Sequence, residues 1–382
     1  MVDLGLTDAQ EMLRNNAHRF LLDKCSREVV REIDESKSGF SASLWKDVSD
    51  MGWPSIVIDE RYGGMGSSLT DAGVLFEEMG WACMPSPLLS SSVLCALAIQ
   101  QGGSAAQKEQ YLPLIADGNR IVAFAFAEPT YGWSPESITV RAAQRGDEYL
   151  LSGTKLFVPD AGIADSYLIV ARTGSGGADG SGLTLFLADK GTPGIAIREI
   201  SGWTGAKLYE ITLEKVALPA AAIVGEVNHG YEVIAPVIDK GTSLLCAYML
   251  GGLQQMGDMA IAYSQSRIAF GVPISTFQRV QDMIITIVND TEAVRWTTYE
   301  ALSAIDNGAP ERDVAEAVSV AKIVASEGFT RGTENAHYVH GGVSVDMKYG
   351  LYLYTKQSRT LFSYLGDPAY HKKRVARIMF DS

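Results

Sequence analysis

Hydrophobic and polar positions divide the chain into three stretches. From residue 7 to about residue 118, apolar residues recur three and four positions apart, and Thr7-Asp-Ala-Gln10 has the spacing of a helix capping box. From Ile121 to about Gly225 the pattern changes to short runs rich in β-branched and aromatic residues, separated by Gly, Pro and Asp. After Gly230 the helical spacing returns and persists to the end. The pattern predicts an α+β protein with a helical domain at 1–119, a β-domain at 120–228 and a helical bundle at 229–382.

Two local patterns sharpen this division. Apolar positions of the last stretch follow the helical period and predict the core of a helix bundle: Val280, Ile284, Ile287, Val288, Thr291 and Val294. The glycine-rich segment 173–182 lies between two strand-like runs, and neither a helix nor a Lys-Ser/Thr pair follows it. It therefore predicts a hairpin loop rather than a phosphate-binding loop.

Composition excludes several classes of function. The 382 residues are 47% hydrophobic and 20% charged, which is typical of a soluble globular protein. A formal charge of −13 argues against nucleic-acid binding, which needs clustered lysine and arginine. The four cysteines show no C-x-x-C spacing and no histidine nearby, so they are predicted to be buried thiols, with no metal site.

The N-terminal segment lacks the basic stretch that precedes the apolar region of a signal peptide. No run of about 18 apolar residues is evident, as a membrane-spanning helix would require. The sequence therefore predicts a cytoplasmic protein that does not cross a membrane.

An ordered set of motifs resembles the acyl-CoA dehydrogenase family along nearly the whole chain. Near the N-terminus these are Gly52-Trp53 and Glu60-Arg-Tyr62-Gly63-Gly64-Met-Gly66. The later matches are Ala123 to Glu128-Pro129, Gly153-Thr-Lys155-Leu-Phe157, Ala161 to Asp165, Arg267 to Gln281 and His340-Gly341-Gly342. The resemblance implies helical, β-barrel or sandwich, and four-helix-bundle domains in that order, with FAD as cofactor and an acyl-CoA substrate.

The resemblance also implies a catalytic carboxylate, because removal of the α-proton of the thioester needs a base while a hydride passes to the flavin. The family usually places a glutamate directly before a glycine, where this chain has Leu365. Some relatives carry the glutamate on the helix after the β-domain, where this chain has Gly241. Neither residue can accept a proton. Asp367 is a weak alternative, because Asp367-Pro368 also reads as a helix N-cap.

Two further carboxylates are weaker still as bases. Asp239 lies two positions before Gly241, and Glu128 belongs to a Glu-Pro motif to which the resemblance gives a structural role.

Contacts to the flavin ring are also reduced relative to the family pattern. Ala127 and Trp133 occur where the family has Thr and Ser, and Pro159 occurs where a hydroxyl reaches the flavin. Proline has neither a hydroxyl nor a backbone N–H to donate. The aromatic wall that the family places against the ring is retained as Phe157.

The residues that the family presents to the FAD of a neighbouring subunit look intact. Arg267 would bind the pyrophosphate with its planar fork of donors, and Phe270 would lie near the adenine half. Gln278 and the backbone at Gly341 and Gly342 complete the set, since glycine lets a backbone approach its ligand closely.

This asymmetry leaves three hypotheses open. In the first, the chain is the non-catalytic subunit of a heteromer, similar to bacterial steroid-CoA dehydrogenases, with a homologous partner that bears the glutamate. That dimer or tetramer would act on a bulky acyl-CoA and pass electrons to an electron-transfer flavoprotein. In the second, the chain is a self-sufficient homomeric enzyme with a relocated base. In the third, it is a flavin-free binding or scaffold protein.

Overall fold

The computed structural model describes residues 5–380. Met1 to Leu4, part of the segment read for a targeting signal, and residues 381–382 lie outside that range. Capping side chains begin most of the N-terminal helices, and the predicted Thr7–Gln10 capping box is present. The helices of this domain are α1 (Asp8–Lys24), α2 (Arg27–Glu35), α3 (Ala42–Asp50), α4 (Leu69–Trp81), α5 (Ala96–Gly102) and α6 (Ala105–Ala116). A π-helix, Leu88–Cys95, runs directly into α5.

The middle of the chain forms one eight-stranded sheet in which β1 pairs with β4 beside the order β6-β7-β3-β2-β4-β5-β8. Its strands are β1 (Val122–Ala125), β2 (Arg141–Arg145), β3 (Glu148–Pro159), β4 (Ser166–Arg172), β5 (Leu183–Asp189), β6 (Ile195–Ile200), β7 (Leu208–Pro219) and β8 (Ile223–Val224). The glycine-rich segment 173–182 joins the antiparallel strands β4 and β5, so the hairpin-loop prediction is confirmed.

The C-terminal region is a helical bundle built around α7. Its helices are α7 (Gly230–Ser266), α8 (Gln278–Asp306), α9 (Glu311–His340), α10 (Leu351–Ser363) and α11 (Pro368–Phe380). A short hairpin of β9 (Ile268–Ala269) and β10 (Val272–Pro273) connects α7 to α8. The order of helices, sheet and helices confirms the predicted fold class, while the predicted domain boundaries stay a prediction.

Helix α7 is the one helix between residues 5 and 380 that is long and apolar enough to cross a membrane. Of its most apolar 18-residue window, 72% is buried inside the protein, as in the core helix of a bundle, so this is weak evidence for a span. The predicted cytoplasmic location stays a prediction.

Glycines let α4 and α7 cross in direct backbone contact. A Cβ on Gly80 would lie 1.8 Å from the Tyr248 carbonyl oxygen, and one on Gly251 would lie 1.7 Å from that of Glu77. Because no side chain fits at these two positions, the N-terminal domain and the bundle are held close together. This contact fixes the helices that form one side of the cavity described below.

Most of the cysteines and α8 side chains that were predicted to be buried are buried in the structure. All four cysteines are free and buried, and burial raises the pKa of Cys25 and Cys246 to about 12. Along the apolar stripe of α8, Ile287 and Val294 are fully buried, but Val288 is 44% exposed. The part of the stripe that includes Val288 therefore faces outward rather than into the bundle core.

Candidate functional site

A cavity of about 300 Å³ lies where the three regions of the chain meet. Helix α4 contributes Phe76 and Met79, and α7 contributes Leu245 and Tyr248. Aromatic and aliphatic groups from the sheet and from the segment after α10 close the other sides: Ala127, Tyr131, Trp133, Phe157, Pro159, Ile163, Leu361 and Tyr364. The cavity therefore has the mainly apolar lining of a small-molecule site.

The two positions at which the resemblance places a catalytic glutamate lie side by side. A Cβ built on Gly241 would be 3.6 Å from Leu365 Cδ1 and only 2.5 Å from Leu94 Cδ2. Leu365 is fully buried, and its φ of 58° is left-handed, a costly backbone conformation for leucine. Among the described residues, neither Gly241 nor Leu365 lines the cavity. Apolar packing closes the place where a base would stand.

His371 holds the Leu365 backbone in this conformation. Its Nε2–H donates to the Leu365 carbonyl oxygen at 3.0 Å, while its Nδ1 is buried without a hydrogen-bond partner among residues 5–380. Burial lowers the pKa of His371 to about 3, with a smaller contribution from the charge of Lys322. The imidazole is therefore neutral at physiological pH.

Trp133 connects the sheet to the segment after α10. Its indole is 6% exposed and stacks on Phe126 with ring centroids 5.1 Å apart and planes at 6°. It also meets the Tyr364 ring edge-on at 5.5 Å and 87°. Such aromatic pairs add stabilisation beyond their buried area. The residue that occurs where the family has a serine is thus a packed bridge beside the two base positions.

The end of β3 places Phe157, the predicted aromatic wall residue, on the cavity. Phe157 lines the cavity with a φ of 53°, and its ring meets Tyr131 edge-on at 5.3 Å. Pro159 also lines the cavity, but it has no hydroxyl or N–H to donate. The wall survives without the polar contact that the family pattern has at this point.

Sequence reasoning passed over Asp160, which directly follows Pro159. Asp160 is half-buried and lines the cavity, and its Oδ2 accepts a hydrogen bond from Ser90 Oγ at 2.6 Å. Burial raises the pKa of Asp160 to about 6, and the bond from Ser90 opposes that shift. Its φ of 61° is one that aspartate tolerates better than most residues. A Pro-Asp step at the end of a strand was the available signal.

The carboxylates that the sequence analysis considered as bases have structural partners. Asp367 accepts a hydrogen bond from the Tyr370 backbone N–H at 2.7 Å, as an N-cap of α11 does. Asp239 forms two hydrogen bonds with Arg374, at 2.6 and 2.7 Å, which join α7 to α11. Both carboxylates act at the ends or contacts of helices.

Glu128 forms a buried ion pair with Lys155 Nζ at 2.7 Å and also accepts hydrogen bonds from Thr139 and from the Val140 backbone N–H. Burial alone would raise the pKa of Glu128, but Lys155 and Thr139 hold it below its usual range. Burial lowers the pKa of Lys155 to about 8 against the opposing charge of Glu128. Both groups are therefore charged at neutral pH, and both carboxylate oxygens of Glu128 already accept hydrogen bonds.

The other predicted cofactor-binding residues lie outside the cavity, at the surface of the bundle. Arg267 caps α7, and its guanidinium makes no ion pair or hydrogen bond within residues 5–380. Phe270 is 95% exposed at the tip of the β9–β10 hairpin, and Gln278 is exposed where α8 begins. At Gly341 and Gly342, at the end of α9, an added Cβ would meet nothing within 4 Å.

Ring stacking joins the two ends of this surface set. His340 stacks on Tyr263 at 4.6 Å, and the Arg267 N–H donates to the Tyr263 carbonyl oxygen. The His340 Nδ1–H donates to the Ala336 carbonyl oxygen, which fixes its tautomer, and burial lowers its pKa. The structure thus brings the end of α7 next to Gly341, with an unpaired cation and open glycine backbone both facing outward.

Comparison with known proteins identifies the family. The N-terminal, middle and C-terminal domains of acyl-CoA dehydrogenase match residues 7–119, 123–216 and 228–380. The chain belongs to the acyl-CoA dehydrogenase family. It is 31% identical to cyclohexane-1-carbonyl-CoA dehydrogenase of Geobacter metallireducens over 78% of each chain.

Two further relatives cover almost the whole chain. Acryloyl-CoA reductase (NADH) of Anaerotignum propionicum is 29% identical over 98% of this chain and 95% of its own. The ChsE4-ChsE5 complex of Mycobacterium tuberculosis contains a chain with a TM-score of 0.90 and 26% identity, and each chain is covered in full. A dehydrogenase, a reductase and one chain of a two-protein complex are thus similar to this chain.

FAD is the cofactor of this family, which confirms the cofactor prediction at the level of the family. The residues here fit its two ends unequally. An unpaired Arg267 and the open backbone at Gly341 suit a phosphate-bearing nucleotide tail. The cavity has flat aromatic walls for a ring, but Ala127, Trp133 and Pro159 provide no hydroxyl to it. The individual cofactor-binding residues stay a prediction.

Proposed function

We propose that this chain is a subunit without a catalytic base that completes the FAD site of a homologous, glutamate-bearing partner. The observation that carries the proposal is the contrast between its two sites. Leu365, Gly241 and Leu94 close the place of a base with apolar packing. Arg267 and Gly341, by contrast, remain unpaired and open at the surface.

In such an assembly this chain contributes binding rather than proton transfer. Arg267 would hold the pyrophosphate, Phe270 would contact the adenine half, and Gln278, Gly341 and Gly342 would complete the surface around the nucleotide. FAD, when bound, supplies the two-electron chemistry of the acyl thioester. The partner's carboxylate, which this chain lacks, would handle the α-proton. An electron-transfer flavoprotein would exchange electrons with the assembly.

The ChsE4-ChsE5 complex supports an assembly of two different chains on this fold. A bulky, steroid-type acyl-CoA as substrate rests on the resemblance of the sequence to steroid-CoA dehydrogenase subunits. The acyl group would be selected by the partner's cleft, because apolar packing closes the region beside Leu365 in this chain. Cytoplasmic location belongs to the same proposal.

Flavin stoichiometry tests the proposal. The chain purified alone with excess FAD should retain almost none, and co-expression with a glutamate-bearing relative should give about one FAD per pair of chains. In that pair, Arg267→Ala should lower FAD retention at least about tenfold, since a charge-assisted pyrophosphate contact is lost. Arg145→Ala, at an exposed position of β2, is the matched control.

The self-sufficient alternative has one specific observation in its favour. Asp160 is the one carboxylate among the described residues that line the cavity, and burial raises its pKa to about 6. It replaces Asp367 as the group that a relocated base would use. About one FAD per chain in the isolated protein, with turnover lost in Asp160→Asn, would establish this alternative instead.

A further inference from the structure

The Asp160 carboxylate has an open acceptor in an otherwise apolar cavity. Ser90 Oγ occupies Oδ2, whereas Oδ1 receives no hydrogen bond from residues 5–380 and is not sealed from the cavity space. Ser90 belongs to the π-helix that leads into α5, so two elements meet here: the end of β3 and an irregular helix. Irregular helical turns of this kind are frequent at functional sites.

Within the described part of the chain, Asp160 has no cationic partner. The two cationic side chains that line the same cavity are engaged elsewhere: Lys207 with Glu199 at 3.4 Å and Arg359 with Glu334 at 2.6 Å. A carboxylate that is partly removed from water without a compensating charge is destabilised. The missing charge can come from a ligand.

We propose that the cavity binds an apolar molecule, or an apolar group of a larger one, that carries an ammonium. Oδ1 of Asp160 accepts a hydrogen bond from the N–H, and Ser90 fixes the carboxylate through Oδ2. Phe76, Met79 and Leu245 contact the apolar body of the ligand. This inference is independent of the partner role, because it concerns the cavity inside the chain and not the surface at Arg267.

The charge of Asp160 also affects what the cavity excludes. An isoalloxazine ring brings no positive charge, and the hydroxyls that would hold it are missing at Ala127 and Pro159. An anionic ligand would meet like charge in a low-dielectric surrounding, where repulsion is strong. Asp160 therefore makes the cavity favour a cationic ligand over a neutral one, and a neutral ligand over an anionic one.

Titratable groups from each neighbouring element surround Asp160. They are Cys95 at the end of the π-helix, Tyr209 on β7 and Tyr364 after α10. Burial raises the pKa of all three, and the Asp160 charge adds to each shift. All three are neutral at physiological pH, so Asp160 alone changes charge between pH 5 and pH 7.5.

Three probes of one size and three charges test the inference on the full chain: benzylamine, benzyl alcohol and benzoate. Titration calorimetry at pH 7.5 should show benzylamine binding about tenfold more tightly than benzyl alcohol, with benzoate weakest. At pH 5, where Asp160 is largely protonated, the preference for benzylamine should fall toward unity. Asp160→Asn should remove the preference at both pH values. Asp179→Asn, in the exposed loop between β4 and β5, should keep it.

Asparagine tolerates the left-handed backbone of position 160, so Asp160→Asn should fold like the parent. Ser90→Ala provides a second variant, which should reduce the benzylamine affinity without abolishing it. Equal affinity for the three probes, or an unchanged preference in Asp160→Asn, would overturn the inference. So would displacement of benzylamine by stoichiometric FAD in the isolated chain. Failure of benzylamine to bind leaves FAD uptake by the co-expressed pair untouched, so the two proposals fail separately.

Discussion

Leu365 occupies the position at which the resemblance places the family's glutamate, and introducing a carboxylate there should be costly. Leu365 is fully buried, and a carboxylate in its place would lose hydration without gaining a partner. Leu365→Glu should lower the free energy of unfolding by about 2–4 kcal/mol. Urea denaturation at pH 7.5 measures the change, with Leu365→Met as the size-matched control.

Turnover by the isolated Leu365→Glu chain should stay absent, because Trp133 still fills the space beside the base and no ring hydroxyl is restored. Gly241→Glu should not restore turnover either, because its Cβ would lie only 2.5 Å from Leu94 Cδ2. Robust acyl-CoA oxidation by Leu365→Glu alone would contradict the proposed function.

Stability should depend on pH through the buried His371. Its pKa is about 3 in the folded chain and about 6.5 unfolded, so the unfolded state binds the extra proton between these values. The stability associated with the neutral His371 is fully present above pH 6.5, and it is lost as the pH falls toward 3. Between pH 7 and pH 5 about 2 kcal/mol of stability should disappear.

Denaturation curves at several pH values isolate this contribution. In His371→Gln, an amide N–H can still donate to the Leu365 carbonyl but does not titrate, so the loss on acidification should be smaller by about the same amount. His229→Gln is the control: the hydrogen bond to Glu232 raises the pKa of this exposed histidine, so its removal should not reduce the loss of stability on acidification. Identical slopes in the parent and His371→Gln would show that His371 is not the group responsible.

At the scale of elements, the helix–sheet–helix order could be predicted from periodicity because each domain buries a continuous apolar face. The predicted hairpin at 173–182 and the Thr7 cap were equally accessible, since both depend on neighbouring residues. The juxtaposition of Gly241 and Leu365 was not, because it is created by packing between α7 and the segment after α10.

The environment of Asp160 also could not be predicted from the sequence, because it is created by tertiary packing. An aspartate after a proline reads as an ordinary turn, and only the approach of the π-helix places Ser90 on it and removes it from bulk water. Val288 was misassigned to the bundle core for a related reason: helical spacing identifies an apolar stripe but not what covers it.

The contact between α7 and α11 should depend on one ion pair. Arg374 holds Asp239 with both terminal nitrogens, and removal of either partner leaves a largely buried charge uncompensated. Arg374→Met should lower the free energy of unfolding by about 2–3 kcal/mol. The double variant with Asp239→Asn should lose less than the sum of the single changes.

Thermal or urea unfolding of the four forms measures the coupling between Asp239 and Arg374. Lys372 lies on α11, like Arg374, and forms an exposed ion pair with Glu327 of α9; Lys372→Met should change stability by less than about 0.5 kcal/mol. Strict additivity of the Asp239 and Arg374 changes would show that the pair does not join the two helices energetically.

Across the whole molecule, several exposed apolar side chains lie in the same elements as the predicted cofactor-binding residues, or directly next to them. They lie on the β9–β10 hairpin, on α8 and around the end of α9: Ile268, Phe270, Val272, Ile285, Val288, Tyr338, Val343 and Val345. Contiguous exposed apolar surface marks interaction sites in soluble proteins. Ile268 directly follows Arg267, and Val343 lies two positions after Gly341, so under the proposed function assembly and FAD binding should be linked.

Phe270→Asp tests that link at the scale of the assembly. Because Phe270 is 95% exposed, the free chain should keep its stability within about 0.5 kcal/mol. Burying an unpaired carboxylate in an interface should instead weaken both co-purification of the partner and FAD retention. Met12→Asp, at an exposed position of α1, should leave both unchanged. Loss of assembly with full FAD retention would mean that the nucleotide is held within one chain, because only a site shared between subunits requires the two to fall together.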